Sequence, residues 1–381
     1  MTKYVWNEEN GAWLDGVWER LQTKMSAECE RIGSGIPYIP VNGQYKDLGE
    51  NDIYWWTNGF WGGMLWQMYH ATDDEAYRAA AERVEQRLDT ALHGFEHLHH
   101  DVGFMWLHTA VANYRLTGSA QSRTRGLHAA TILAGRYNPA GKFIRAWNDE
   151  GGVNRAGWMI IDCLMNTPLL LWASEETGDP RFRQIAVNHA DTVLRTTLRP
   201  DGSANHIMIL DPDSGEVLDN PGGQGFESGS SWSRGQAWAL YGMALSHRHT
   251  GKKEYLDAAK RTAHYFIANV ASTDDLPLVD FRSPAEPLVY DSTAGTCAAC
   301  GLLEIAEAVP EHERRMYIDA ALRMLKALEH KFADWNPEKD GIIGGGTVAY
   351  HGGEREVPII YGDYFFIEAV LRLREQGAHL W

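Results

Sequence analysis

A single carboxylate, Asp162, stands between Met159, Ile160 and Ile161 on one side and Cys163, Leu164 and Met165 on the other. In such a run the charged form loses water that it cannot replace, so the pKa rises. A carboxylic acid that stays protonated near neutral pH can give a proton to a substrate and then act as a base. The plainer role is to accept backbone N–H bonds in the first turn of a helix. The surrounding stretch, Trp147 to Trp172, also carries the polar run N-D-E-G-G-V-N-R at 148–155.

Other chemistry-bearing residues lie far away in sequence. Asp101 closes the run H-L-H-H-D at 97–101, where it reads as a helix cap or as a second carboxylate set against Asp162. His97, His99 and His100 beside it invite a metal reading. No helical H-x-x-x-H and no distant Cys/His set completes such a site, so no metal and no cofactor are expected. Trp56, in D-I-Y-W-W-T-N-G-F-W at 52–61, is suited to walling a sugar ring. His206 and Gln224 lie in the longest insertion, which ends in W-S-R-G-Q-A-W at 232–238. Arg234 opens an apolar helix, where a guanidinium needs an anionic partner. A substrate carboxylate fits that need, and so does a neighbouring aspartate. Asp291 and Asp363 read as N-caps. The loop G-G-G-T-V-A-Y-H at 344–351 is placed to shape the far end of a pocket. Neither a G-x-x-x-x-G-K-[ST] phosphate loop nor a G-x-S-x-G nucleophile elbow occurs.

These residues need a scaffold, and the chain repeats one. An apolar helix is followed by a turn and then by an amphipathic helix. The turns are Thr72-Asp73, Thr117-Gly118, Thr177-Gly178 and Thr250-Gly251, with Val309-Pro310 in the same place later. After most of them an aromatic is followed by small apolar residues three and four positions on, as in Tyr255, Ala258 and Ala259, which is one face of a helix. The apolar segments are about 59–70, 103–116, 160–176, 235–249, 294–308 and 363–375. Several are apolar nearly all round, so they are buried on all sides. Six amphipathic segments alternate with them, the first near 13–32. This pattern predicts an all-α fold, an (α/α)6 barrel with six parallel inner helices and six outer ones, in one domain over 1–381. The alternatives are an irregular bundle or an α-solenoid. Parallel inner helices put six N-termini at one mouth, where their partial positive charge favours an anionic ligand.

Composition narrows the partners. The net charge of −16 argues against nucleic acid. No run of about 18 apolar residues occurs, so no membrane span is expected. The first ten residues contain no apolar signal-peptide core. The four cysteines lie in apolar or helix-like stretches, and Cys297 and Cys300 read as small core residues rather than a zinc or redox pair. The expectation is a reduced, cytoplasmic protein, working as a monomer or homodimer.

The motifs W-T-N-G-F-W-G-G at 56–63, H-H-D-V-G-F at 99–104, M-I-I-D-C-L-M-N at 159–166 and W-S-R-G-Q-A-W at 232–238 resemble the unsaturated glucuronyl hydrolases, glycoside hydrolase family 88. The likeness covers almost the whole length. It implies the (α/α)6 barrel, no metal, and action on oligosaccharides left by polysaccharide lyases, which carry a C4=C5 double bond in the non-reducing-end uronate. It implies that Asp162 is the general acid/base and Asp101 the second essential carboxylate. It further implies that His100, Trp147, His206, Gln224, Trp232, Arg234 and Trp238 line the sugar site. Some relatives have Asp where Asn58 stands. The 344–355 loop lacks the Ser-rich run of sulfate-preferring relatives.

The rivals are an unsaturated rhamnogalacturonyl hydrolase of the same fold, an N-acyl sugar 2-epimerase, which would rely on a His pair, and a sugar-binding module. The module explains the aromatics but not a carboxylate in the apolar run at Asp162.

Overall fold

Helices without a polar face must be enclosed, and the chain encloses them in a ring. The computed structural model describes Tyr4 and residues 6–381. The first inner helix is Phe60–Thr72. The second runs on through Val102–Trp106, Leu107–Val111 and Ala112–Thr117, and the third through Cys163–Asn166 and Pro168–Thr177. The fourth, fifth and sixth are Ser233–Thr250, Ser292–Ala308 and Ile360–Leu373. Each packs on the next, and the sixth packs back on the first, which closes the barrel. The outer helices Glu8–Ile32, Glu75–Arg87, Ala120–Gly135, Pro180–Thr196, Lys253–Val270 and Glu311–Phe332 each lie against an inner helix. Their small residues make that packing close: Tyr255, Ala258 and Ala259 are all fully buried.

The expected stops form as read. Asp73, Gly118, Gly178 and Gly251 take left-handed φ of 55°, 76°, 71° and 71°, and each N–H bonds the carbonyl four residues back. At the opposite end of the helices, residues at five of the six N-termini line one cavity, and the fifth helix joins them through Asp291, which bonds Arg234. The inner helices are therefore parallel, and the (α/α)6 barrel expected from the repeat is the architecture found.

Three local readings change. The segment expected to be helical from 160 starts as a strand. Trp158–Ile160 pairs antiparallel with Ile207–Leu210, which pairs with Val217–Asp219, and the helix begins only at Cys163. A short apolar run does not distinguish a buried strand from a buried helix. The second inner helix carries a π turn over Leu107–Val111. Asp363 is not a cap, because its helix starts at Ile360. Its carboxylate instead accepts the N–H groups of Ile342 and Ile343 and the hydroxyl of Tyr45.

Asp363 belongs to a buried polar patch under the 334–343 loop. Glu28 Oε1 takes the N–H of Gly341 at 2.8 Å, while Oε2 is buried without a partner, and Lys24 Nζ lies 3.8 Å away. Burial, then the nearby Asp363, push Glu28 up to about 8. A carboxyl whose folded pKa is raised favours the folded state while it is protonated, and that contribution is lost as pH rises through the folded value. Thermal melts at about pH 6 and about pH 9 should show an alkaline loss of Tm that is smaller in Glu28→Gln than in the parent. An equal loss in both would mean that Glu28 titrates normally.

Among the described residues, no helix is long and apolar enough to cross a membrane.

Candidate active site

The cavity at the N-terminal mouth has a volume of about 640 Å³, the size of a small-molecule site. Asp101 and Asp162 both line it. They come from the N-terminal ends of the second and third inner helices, and those ends touch. A Cβ at Gly103 would stand 2.5 Å from the Asn166 Cα, so only glycine allows this approach. Asn166 then secures it. Its Oδ1 accepts Phe104 N–H at 2.8 Å, and its Nδ2 donates to Asp101 Oδ1 at 3.1 Å.

Both aspartates stand at the N-cap position, but neither side chain makes a capping hydrogen bond. Both turn to one imidazole: His100 Nε2 stands 3.4 Å from Asp101 Oδ2 and 3.7 Å from Asp162 Oδ1. His99 Nδ1 approaches Asp101 Oδ2 at 3.1 Å. The capping role expected as the plainer alternative for both residues is thus not the one adopted.

Their electrostatics diverge. Burial and then the negative charge of Asp101 raise Asp162 well above the ordinary carboxyl range. Its Oδ1 is buried with no hydrogen-bond partner, although 18% of the side chain opens to the cavity. Burial pushes Asp101 up as well, but His100, His99 and Asn166 together outweigh it and hold Asp101 below its usual value. Burial lowers His100 to about 4, so its ring is neutral at pH 7. The pair is one acid and one carboxylate, the division of labour that proton transfer needs.

The walls are aromatic. Trp238 is buried between Phe104 and Phe365, and Trp56 is held by Phe60, Phe104 and Tyr361. Trp147 and Trp232 also face the cavity. Gln224 reaches it from the insertion, its Nε2 donating to Val348 O at 2.7 Å and its N–H to His206 Nδ1 at 3.0 Å. Two expected lining residues stand behind the surface. His100 is fully buried, and His206 is packed against the Trp232 ring at 4.2 Å.

Arg234 lines the cavity, and of the two partners expected for it the neighbouring aspartate is present. Nη1 bonds Asp291 Oδ2 at 2.5 Å, Thr293 Oγ1 and Thr347 O, and Nη2 bonds Val348 O. Its partner is thus the cap of the fifth inner helix, and the charge ties the 344–355 loop to the barrel. Nε makes no hydrogen bond among the described residues and is the edge left for a ligand.

His99, His100 and Asp101 also offer donor atoms within 4.8 Å of one another. Among the described residues His99 Nδ1 and His100 Nε2 make no hydrogen bond, and they stand 3.1 Å and 3.4 Å from Asp101 Oδ2.

Tyr38, Trp55, Arg155 and Tyr361 also line the cavity, as do Asn148, Asp149, Glu150 and Val348, and none of these was singled out from sequence as a site residue. Trp55 lay inside a run already marked, next to Trp56, and Tyr361 lies two residues before Asp363. Tyr38 carried no signal. It arrives because its carbonyl takes the Ile360 N–H at the start of the sixth inner helix.

Known proteins resemble the chain over most of its length. The family model for Glycosyl Hydrolase Family 88 matches residues 38–274. The chain is 39% identical, over 92% of its length and 94% of the relative's, to the unsaturated glucuronyl hydrolase of Bacillus sp. strain GL1. The crystal structure of the unsaturated glucuronyl hydrolase from Bacillus sp. GL1, described as responsible for degradation of glycosaminoglycan, superposes with a TM-score of 0.89 at 38% identity, covering 95% of this chain and 96% of that one. A variant of the Streptococcus agalactiae unsaturated glucuronyl hydrolase, complexed with dGlcA-GalNAc6S, superposes with a TM-score of 0.80 at 28% identity, covering 94% of this chain and 90% of that one. With its six-fold ring of helices and its paired aspartates, the chain belongs to glycosyl hydrolase family 88.

Proposed function

We propose that this glycoside hydrolase takes unsaturated di- or oligosaccharides left by polysaccharide lyases and releases the non-reducing-end 4,5-unsaturated glucuronate by hydrating its C4=C5 vinyl ether. The observation that carries this reading is the placement of Asp101 and Asp162, one ionised and one protonated, on a single imidazole in a tryptophan-walled cavity. An epimerase would need a basic pair at that point, and His100 is too acidic to serve.

The chemistry follows from the pair. Asp162 gives its proton to C4, and the electrons of the double bond leave an oxocarbenium ion at C5. Asp101, still negative, stabilises that cation. Water adds to C5 and passes its proton to the Asp162 carboxylate, which restores the acid. The hemiketal opens to a ketone at C5, and C1 expels the next sugar. No bond forms at the anomeric carbon from outside, so carboxylate spacing does not dictate a stereochemical outcome as it does in ordinary glycosidases. Trp56, Trp147, Trp232, Trp238 and Gln224 position the sugars, and the free edge of Arg234 faces the uronate. Four buried, unpaired cysteines support a reduced, cytoplasmic setting, with one barrel, as monomer or homodimer, carrying the whole reaction.

Mixing the protein with lyase-generated disaccharides should abolish the ultraviolet absorbance of the conjugated enol ether; mere binding or epimerisation would preserve it. In heavy-oxygen water, with prompt reduction to fix the carbonyls, the label should appear at C5 of the acidic product. Label at C1 would rule out this route even if the disaccharide is cleaved.

A further inference from the structure

The carboxylate pair and its histidines leave four donor atoms close together. His99 Nδ1 stands 3.1 Å from Asp101 Oδ2, and His100 Nε2 stands 3.4 Å from the same oxygen and 3.7 Å from Asp162 Oδ1. His99 Nδ1, His100 Nε2 and Asp162 Oδ1 are each buried and make no hydrogen bond among the described residues. His100 is fully buried, so its bare nitrogen is held between two carboxylates and away from bulk water.

Polar atoms are costly to bury bare, and folded proteins satisfy nearly all of them. The donor set indicates the partner. Two imidazole nitrogens and two carboxylate oxygens suit zinc, which takes such ligands at about 2.0–2.2 Å in a tetrahedron. The edges of that tetrahedron are about 3.3–3.6 Å long. The three separations above straddle that length, and the donors of His99, His100 and Asp101 all lie within 4.8 Å of one another. Calcium or magnesium would ask for about six oxygens, which two carboxylates do not supply.

The fold already holds the set in place. His100 N–H donates to Ala146 O at 3.2 Å, and Asn166 Nδ2 holds the other Asp101 oxygen at 3.1 Å. Two arginines act on the pair through their charge, Arg136 on Asp101 and Arg234 on Asp162. Both are committed elsewhere. Arg136 bonds the carbonyls of Leu98, Arg145 and Ala146 and the Asn148 side chain, and Arg234 bonds Asp291. An ion can enter by the mouth, because His99, Asp101 and Asp162 line the cavity.

We propose that His99, His100, Asp101 and Asp162 form an inhibitory zinc site. An ion held by all four has no open position for water, so it adds no chemistry of its own to the reaction. It takes the two carboxylates that the reaction needs. Asp162 releases its proton to solvent and binds through Oδ1, Asp101 binds through Oδ2, and no proton is left for C4. The coordination stands on the geometry alone; the loss of activity rests on the hydrolase reading above.

The test titrates chelator-treated protein with zinc chloride in a calorimeter, without substrate. A single ion per chain should bind, and cobalt in its place should give the strong visible bands of a tetrahedral site. His99→Gln and Asp162→Asn should each weaken zinc binding by about tenfold or more. His97→Gln should not, because that ring packs on Tyr54 at 4.9 Å and not on the carboxylates. With lyase-generated disaccharides, turnover should fall in step with zinc occupancy and return when chelator is added. No zinc binding, the pale spectrum of octahedral cobalt, or an affinity unchanged in both His99→Gln and Asp162→Asn overturns the site. Full activity of the zinc-loaded protein overturns the inhibition. A protein that binds zinc as expected but, free of zinc, turns over none of these disaccharides overturns the hydrolase reading and leaves the site standing.

Discussion

Asp162→Asn should lower kcat by about 10²–10⁴-fold while leaving the protein folded, because the amide keeps the shape but has no proton to transfer. Size is preserved at a site where the carboxyl makes no capping bond, so the barrel loses no support. The parent enzyme should act only while Asp162 is protonated. Burial and the charge of Asp101 raise that pKa, so activity should persist through neutral pH and fall on the alkaline side. Stability follows the same sign. A carboxyl with a raised folded pKa contributes while protonated and ceases to contribute as pH rises through that value. The Asn variant has no such transition, so in alkali it should melt no lower than the parent. Circular dichroism and stopped assays on the same preparation separate the two effects. A folded variant with kcat close to that of the parent would mean that another group delivers the proton.

The sequence carried the barrel because its evidence was local. A segment such as 236–245, apolar on every face, has one physical solution, and six of them alternating with amphipathic helices have few. Asp162 was legible for the same reason, as a charge inside an apolar run. What stayed hidden depends on closure of the ring. Arg234 read as a cation in want of a partner, and the partner turned out to be Asp291, 57 residues away and adjacent only once the fourth and fifth inner helices pack. Gly103 and Asn166 looked like ordinary helix residues, yet their contact brings the two aspartates together. Tyr38 reaches the cavity from a segment with no periodic signal. His100 and His206 were placed in the site by motif, whereas the packing sets them behind it, where they orient Asp101 and Gln224. The strand at Trp158–Ile160 escaped because four apolar residues fit a strand and a helix equally well.

Asp101→Asn should cut kcat by about 10²-fold, the scale of removing one preorganised charge from a developing ion, and should also move the pH profile in a direction set by its neighbour. Asp101 is held ionised by His100, His99 and Asn166, and its charge helps to keep Asp162 protonated. The Asn side chain can still face Asn166 and His99, so the pocket keeps its shape while the charge is gone. Without that charge the Asp162 proton is released more easily, and the alkaline limb of kcat should shift to lower pH. His100 moves the opposite way from interference: losing its anionic neighbour lowers a pKa already near 4, so no imidazolium appears to mimic the shift. Residual activity measured across pH therefore reports on Asp162 without interference from His100. A limb that stays in place, or moves to higher pH, would mean that Asp101 does not tune Asp162, and that burial by itself keeps the acid protonated.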